Sequence, residues 1–262
     1  MRRRFGQRLR LGVAASALAL VQTRRWGGPA ELLAEQPYVG VGALPDALAA
    51  LLGGGYAGWP LTIVLSDELV RMWQVTPPAQ TTRLADLEAA AALRFQRLYG
   101  EPAADWIVRA GWDAGQPFLA AAMPRALLAA LGQGAAMHHM KLVEIVPQFV
   151  ALLNRCRGEL AAGAWFGTLH DKVLTLGARE GGLLVAVRAQ ALPAAPGPLW
   201  LAEHLAREAL RLNLAAPSRL QLWGAPPAWL GVGTITTTTA LGSPGAAGWT
   251  QAAVLAASGS AA

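Results

Sequence analysis

The sequence is poor in cysteine, in charge and in long apolar runs. Cys156 is the only cysteine, so no disulfide can form within the chain and no cysteine-based zinc cage can be built. No apolar run approaches the ~20 residues that an α-helix needs to cross a bilayer. Charged residues make up only 15% of the chain, and the first 25 residues hold no acid at all. Seven arginines stand there alone: Arg2, Arg3, Arg4, Arg8, Arg10, Arg24 and Arg25. Beyond them 15 basic residues face 16 acidic ones, so the net charge of +6 belongs to a basic N-terminal arm and not to the body. Nucleic-acid binding wants a basic face across a folded domain, and nucleic acid is not an expected partner. Two readings of the arm stay open. It is a solvated tail, or it touches an anionic membrane face, where each arginine near the surface contributes about 1 kcal/mol.

Apolar residues are plentiful at 54%, which supplies a core and excludes disorder over the whole length. Alanine and leucine dominate that set, favouring helices that cover a sheet over an all-β protein. Ten tryptophans outnumber the five phenylalanines and three tyrosines together. Trp59, Trp112, Trp229 and Trp249 fall in loops near glycine or proline; any left exposed would mark a partner surface.

The N-terminal stretch LGVAASALALV also has two readings. With Arg2-Arg3-Arg4-Phe5 before it and Ala17-Leu18-Ala19 within it, it has the outline of a twin-arginine-like export signal. About six apolar residues precede that cleavage site, short of the ~7–15 of a signal core. The other reading is a strand pair, Leu9–Ala15 and Ala17–Gln22, turning near Ser16.

Further along, a short strand is expected near Tyr38–Val41 and a helix over Leu44–Leu52, with Pro45 in its first turn and Gly53-Gly54-Gly55 as its stop. Leu61–Ser66 reads as a strand and Leu69–Val75 as a second extended piece. Thr82 is the expected N-cap of a helix whose Leu84, Leu87, Ala91, Phe95 and Leu98 share one face. Trp106–Arg109 and Phe118–Met123 follow as strands, then a helix Arg125–Leu131 closed by Gly132 and Gly134, then a strand Leu142–Val146. The helix Pro147–Arg157 places Phe149, Leu152, Leu153 and Cys156 on one face.

The stretch Ala164–Arg188 reads as a three-strand meander: Trp165–Leu169, Val173–Gly177 and Leu183–Val187, turning at His170-Asp171 and Gly181-Gly182. A helix Leu199–Leu214 follows, with Leu201, Leu205, Ala206 and Leu210 expected inward. Arg219–Trp223 is a strand, Trp229-Leu230 a short helix or turn, and Gly231–Thr238 an exposed strand. From Gly242 onward, glycine, alanine, serine and proline suggest a flexible tail. The two halves share a plan of strands followed by helices.

That order of elements resembles the duplicated actin-like fold of the PilM and GspL family, components of type IV pilus and type II secretion platforms. Four segments carry the resemblance: LRLGVAASALAL, LTIVLSDELVRMWQVTPP, the run from Asp105 to Arg155, and AWFGTLHDKVLTLGAREGGLLVAVR. It implies an α/β protein of duplicated actin-like (ribonuclease H-like) halves, with mixed sheets covered by helices. The halves would span residues 1–135 and 136–241, with a tail over 242–262.

The resemblance also allows the nucleotide site to be checked. ATP-binding members carry G-x-D-x-G in the first hairpin, where glycine admits phosphate to the backbone amides and the acid organises metal and water. Here the run is Gly12-Val13-Ala14-Ala15-Ser16, with Ala14 at the acid position and Ser16 at the second glycine. The matching D-x-G of the second half would be Trp165-Phe166-Gly167, and the adenosine-side glycines would fall at Trp223-Gly224. The expectation is no catalytic residue, no cofactor and no metal, with Trp165 filling the vacated phosphate site.

Three other groups carry weaker signals. His138-His139 lacks a paired ligand at i+4. His170-Asp171 reads as exposed turn chemistry. Ser66-Asp67-Glu68 reads as a polar strand exit, since no G-x-S-x-G surrounds it. By resemblance the chain is a non-catalytic cytoplasmic scaffold, peripheral to the inner membrane. Its partner would be the short cytoplasmic tail of a bitopic membrane protein, with the assembly ATPase as a further partner. The rival readings are an ATP-binding actin-like protein with divergent loops and an exported protein.

Overall fold

The computed structural model describes residues 6–24, 28–81, 83–230, 237–242 and 248–258. The strands in chain order are β1 (Gln7–Val13), β2 (Ala17–Arg24), β3 (Glu31–Pro37), β4 (Pro60–Leu65), β5 (Arg71–Val75), β6 (Trp106–Ala110) and β7 (Phe118–Pro124). They continue with β8 (Lys141–Pro147), β9 (Trp165–His170), β10 (Val173–Glu180), β11 (Leu183–Ala191), β12 (Arg219–Trp223) and β13 (Thr237–Leu241). The helices are α1 (Leu44–Leu52), α2 (Leu84–Tyr99), α3 (Arg125–Met137), α4 (Gln148–Cys156), α5 (Pro198–Arg211) and α6 (Gln251–Ser258).

Contacts divide the chain into two units, neither continuous in sequence. One comprises Met1–Val70, Met123–Arg155 and Pro244–Ala262; the other comprises Arg71–Ala122 and Cys156–Ser243. The expected halves, 1–135 and 136–241, follow chain order instead. They differ because residues 71–122 build a sheet of their own whose β5 lies against β11.

The first unit holds a five-stranded sheet in the order β3-β2-β1-β4-β8. β1 pairs antiparallel with β2 and parallel with β4, and β4 pairs parallel with β8. The stretch weighed as an export signal is therefore the β1–β2 pair, and β1 is the middle strand. Its residues alternate between faces. Leu9, Leu11 and Val13 point to one face, and all three are fully buried. Arg10 and Gly12 belong to the other, which α6 covers: Gly12 lies against Ala252 and Ala256.

Several sequence expectations change here. Residues 242–262 are not a loose tail throughout, because α6 buries Ala252, Ala253, Leu255 and Ala256 against the sheet. Small side chains that look like a linker in sequence are what allow a helix to lie close on strands. The basic arm is shorter than its arginines suggested. Arg8, Arg10 and Arg24 are strand residues, and Arg10 is 8% exposed, its pKa pushed down to about 10 mainly by burial.

The third strand is Glu31–Pro37, not Tyr38–Val41. It is a half-exposed edge strand without the apolar run by which strands are recognised. α3 continues through Gly132 and Gly134 to Met137, since a Cβ on Gly134 would meet Leu48 of α1 at 2.8 Å. Gly134 is there for helix contact, not as a stop. Thr82 lies outside the described residues, and Arg83 holds the N-cap position of α2.

The second unit repeats the first sheet's plan in the order β11-β10-β9-β12-β13. β9, β10 and β11 form the antiparallel meander, and β12 pairs parallel with both β9 and β13. α5 covers it with Leu201, Leu205 and Ala209 buried among Trp165, Leu174, Leu176, Leu220 and Leu222. Ala206 and Leu210, expected inward, face out, and Leu210 is 80% exposed. His204 and Glu208 take the inward places. Leu201 and Leu205 are buried as expected, and from them the inward face turns by about one residue toward His204 and Glu208. Most of the Gly231–Thr238 stretch lies outside the described residues, and β13 occupies Thr237–Leu241.

A three-stranded sheet, β5-β7-β6, also belongs to this unit. α2 packs on it through Leu87, Ala91 and Phe95, which join Trp73 and Trp106 in one core.

Candidate functional site

The first-hairpin turn, where the actin-like pattern places phosphate, is tied by internal hydrogen bonds. The Ala14 amide donates to the Ala17 carbonyl at 3.0 Å, and the Tyr38 amide donates to the Ser16 carbonyl at 2.9 Å. The Tyr38 hydroxyl donates to the Ala14 carbonyl. Burial of that phenol, with Glu68 adding to the effect, pushes its pKa up to about 12. The Ala15 amide donates to a carboxylate oxygen of Glu68 at 3.3 Å, and the Ser66 hydroxyl donates to the same oxygen at 3.1 Å.

Glu68 thus puts a resident anion on an amide that a phosphate would need, and an incoming phosphate would meet both competition and repulsion. Ala14 itself is 1% exposed and packs with Ala252, Ala253 and Leu255. Glycine at position 12 serves the approach of α6, since an added Cβ would stand 2.7 Å from the Ala256 amide nitrogen.

The Ser66-Asp67-Glu68 strand exit is a structural brace. Asp67 is 2% exposed and accepts the Phe149 amide at 3.0 Å. Phe149 is the second residue of α4, so a carboxylate satisfies one of the amides that a helix start leaves without an internal partner. The negative charge also suits the positive end of the helix dipole.

The second hairpin corrects the sequence reading. Trp165 opens β9, whereas Ala14 follows the end of β1, so the two are not equivalent by topology. Trp165 is 2% exposed and lies in the core beneath α5, not in a vacated phosphate site. Gly167 shares its face, where an added Cβ would meet Leu222 Cδ2 at 2.7 Å. The residue that follows β9 is Asp171, with φ of +48° at the turn. Its Oδ2 lies 3.5 Å from His170 Nε2. His170, expected as exposed turn chemistry, is 4% exposed. The second hairpin therefore does carry an acid at its tip. D-x-G spacing counted from a glycine pointed to the wrong end of the strand.

At the third expected position, the Gly224 amide donates to the Leu241 carbonyl at 2.9 Å, and Trp223 packs against Gly242. His138 and His139 form the turn after α3, the latter at φ of +52°. Of the loop tryptophans, Trp59 is buried, and Trp112, Trp229 and Trp249 are partly buried in the clusters. None of the four is an exposed anchor.

The architecture is an actin-like fold: two five-stranded sheets of one topology, each with covering helices. Solved structures share it. The cytoplasmic domain of EpsL, an inner-membrane component of the type II secretion system of Vibrio cholerae, matches with a TM-score of 0.60 at 10% identity, over 96% of this chain and 94% of that one. A Bacteroides thetaiotaomicron protein with an actin-like ATPase fold and unknown function matches at 0.60 and 11%, over 85% and 84% of the two chains. A chain of the PilM–PilN type IV pilus biogenesis complex matches at 0.52 and 21%, over 80% and 66%. At these identities the likeness establishes the fold. No family model and no curated protein matches the chain. Among the described residues, no helix is long and apolar enough to cross a membrane.

Proposed function

We propose that this chain is a non-catalytic scaffold of a type II secretion or type IV pilus inner-membrane platform. It would work at the cytoplasmic face by docking the short tail of a membrane-spanning partner, with the assembly ATPase as a further partner. The observation that carries this reading is the likeness to the EpsL cytoplasmic domain, which spans nearly the whole of both chains. The first hairpin supports it, because Glu68 and α6 occupy the surroundings that a nucleotide phosphate would require.

One specific observation favours a second reading, ATP binding through divergent loops: Asp171 supplies an acid at the second hairpin tip. Calorimetric titration with ATP and magnesium separates the two. The scaffold reading expects no saturable heat, and micromolar affinity would overturn it.

A further inference from the structure

A cleft of about 350 Å³ opens in the second unit between the end of β5 and the outer face of α2. Gln74, Val75, Ala90, Leu93, Arg94 and Arg97 are among the residues that line it. The volume suits two or three side chains of a ligand. Leu93 is 58% exposed, large for a leucine with no cover.

Arg94 and Arg97 are exposed, one helical turn apart, and among the described residues neither makes an ion pair. Arg71, on the same strand as Gln74, is by contrast bound to Glu101 at 3.4 Å. β5 is an outer strand of its sheet, hydrogen-bonded there only to β7 among the described residues.

Arg97 also complements the C-terminal end of the helix dipole. That role does not account for Arg94, or for the exposed Leu93 beside it at the same cleft. We infer that this cleft docks a short peptide segment of a partner in which an apolar residue is flanked by carboxylates. The apolar side chain would pack against Ala90 and Leu93, and the carboxylates would meet Arg94 and Arg97. The inference rests on the scaffold reading, to which it adds the location of a docking cleft and the chemistry of its ligand.

The test uses the full chain and a fluorescein-labelled dodecapeptide of alternating leucine and glutamate, followed by anisotropy. Leucine–glutamine and leucine–lysine peptides of the same length are the controls. The wild type should bind the glutamate peptide at least about tenfold more tightly than either control, a preference of about 1.4 kcal/mol. The R94E/R97E variant should reverse that order in favour of the lysine peptide. Both substitutions are on an exposed helix face, and an unchanged melting curve verifies the fold. Equal binding of the glutamine peptide, no binding of the glutamate peptide, or an R94E/R97E variant with wild-type preference would each overturn the cleft. A partner tail that binds wild type and R94E/R97E equally would overturn it too, while leaving the scaffold reading in place. Micromolar ATP binding would instead sink the scaffold reading.

Discussion

The two five-stranded sheets have the same strand order and directions, yet they pack the glycines of their central strands differently. In the first, Gly12 faces helix backbone: an added methyl would press on the main chain of α6 at Ala252 and Ala256. In the second, Gly167 faces the side-chain ends of Leu222 and Leu176. One sheet is closed by a small-residue helix in near contact, the other by α5 and a layer of large side chains that includes Trp165. Duplicated topology has been kept while the packing chemistry has diverged. In the first sheet, the glycine that could admit phosphate now admits a helix.

The severest way to break this comparison is to remove residues 249–262. A flexible tail could be deleted without consequence. A helix covering β1 cannot, because Leu255 alone contributes about 1.5–3 kcal/mol by burial and the Gly12 face would lose the helix packed directly on it. We expect loss of a cooperative thermal transition by circular dichroism; an unchanged midpoint would contradict the role given to α6.

A smaller effect separates the two glycines. Gly12→Ala should lie at the upper end of the ~1–3 kcal/mol range for overpacked cores, and Gly167→Ala at its lower end. Leucine methyls can rotate away, whereas helix backbone moves only as a whole. Urea denaturation of the two variants measures the difference, and equal losses would erase the distinction between the sheets.

The smallest effect concerns the second sheet's helix. His204 is 6% exposed and stacks on Trp200 with ring centroids 5.3 Å apart. Burial lowers its pKa, with Glu208 opposing and Arg207 and Arg211 adding to the fall. The folded state therefore holds the proton less tightly than the unfolded chain. The stabilisation is complete above the ordinary histidine pKa and is lost as pH falls through the depressed folded value. Denaturation of wild type and His204→Phe from about pH 8 to about pH 5 should show the wild type weakening relative to the variant on the acid side. Parallel curves would mean that His204 does not titrate in this window.

Much of this fold is legible in the residues. α1 and β12 fall on their expected bounds, and the meander, α2 and β4 lie within a few residues of theirs. Those segments have strong periodicity or clear punctuation. The misses have physical causes. β3 is an edge strand rich in glutamate and glutamine, so no apolar alternation marks it. α6 is built from alanine, which reads as a linker unless a sheet is known to wait for it. Leu210 looks like core from sequence, yet the inward face of α5 includes His204 and Glu208, the latter held by Arg211 and Arg188.

The candidate site was harder to read. Ala14 at the acid position is visible in sequence, whereas Asp171 falls outside a D-x-G spacing counted from Gly167 and becomes evident only from the strand end. Glu68 is legible only as part of a polar strand exit, since its bond to Ala15 spans 53 residues.

The sequence by itself determined the class of protein: two sheets of one plan with covering helices, little charge on the body, and a first hairpin without its acid. Hydrophobic periodicity and turn residues are local, and they carry that much. Tertiary structure alone decided what surrounds the first hairpin, a carboxylate on the Ala15 amide and a helix on Gly12, and it placed the Trp165 indole in the core beneath α5. Each of these depends on groups far apart in the chain, whose approach is set by packing and not by neighbours in sequence.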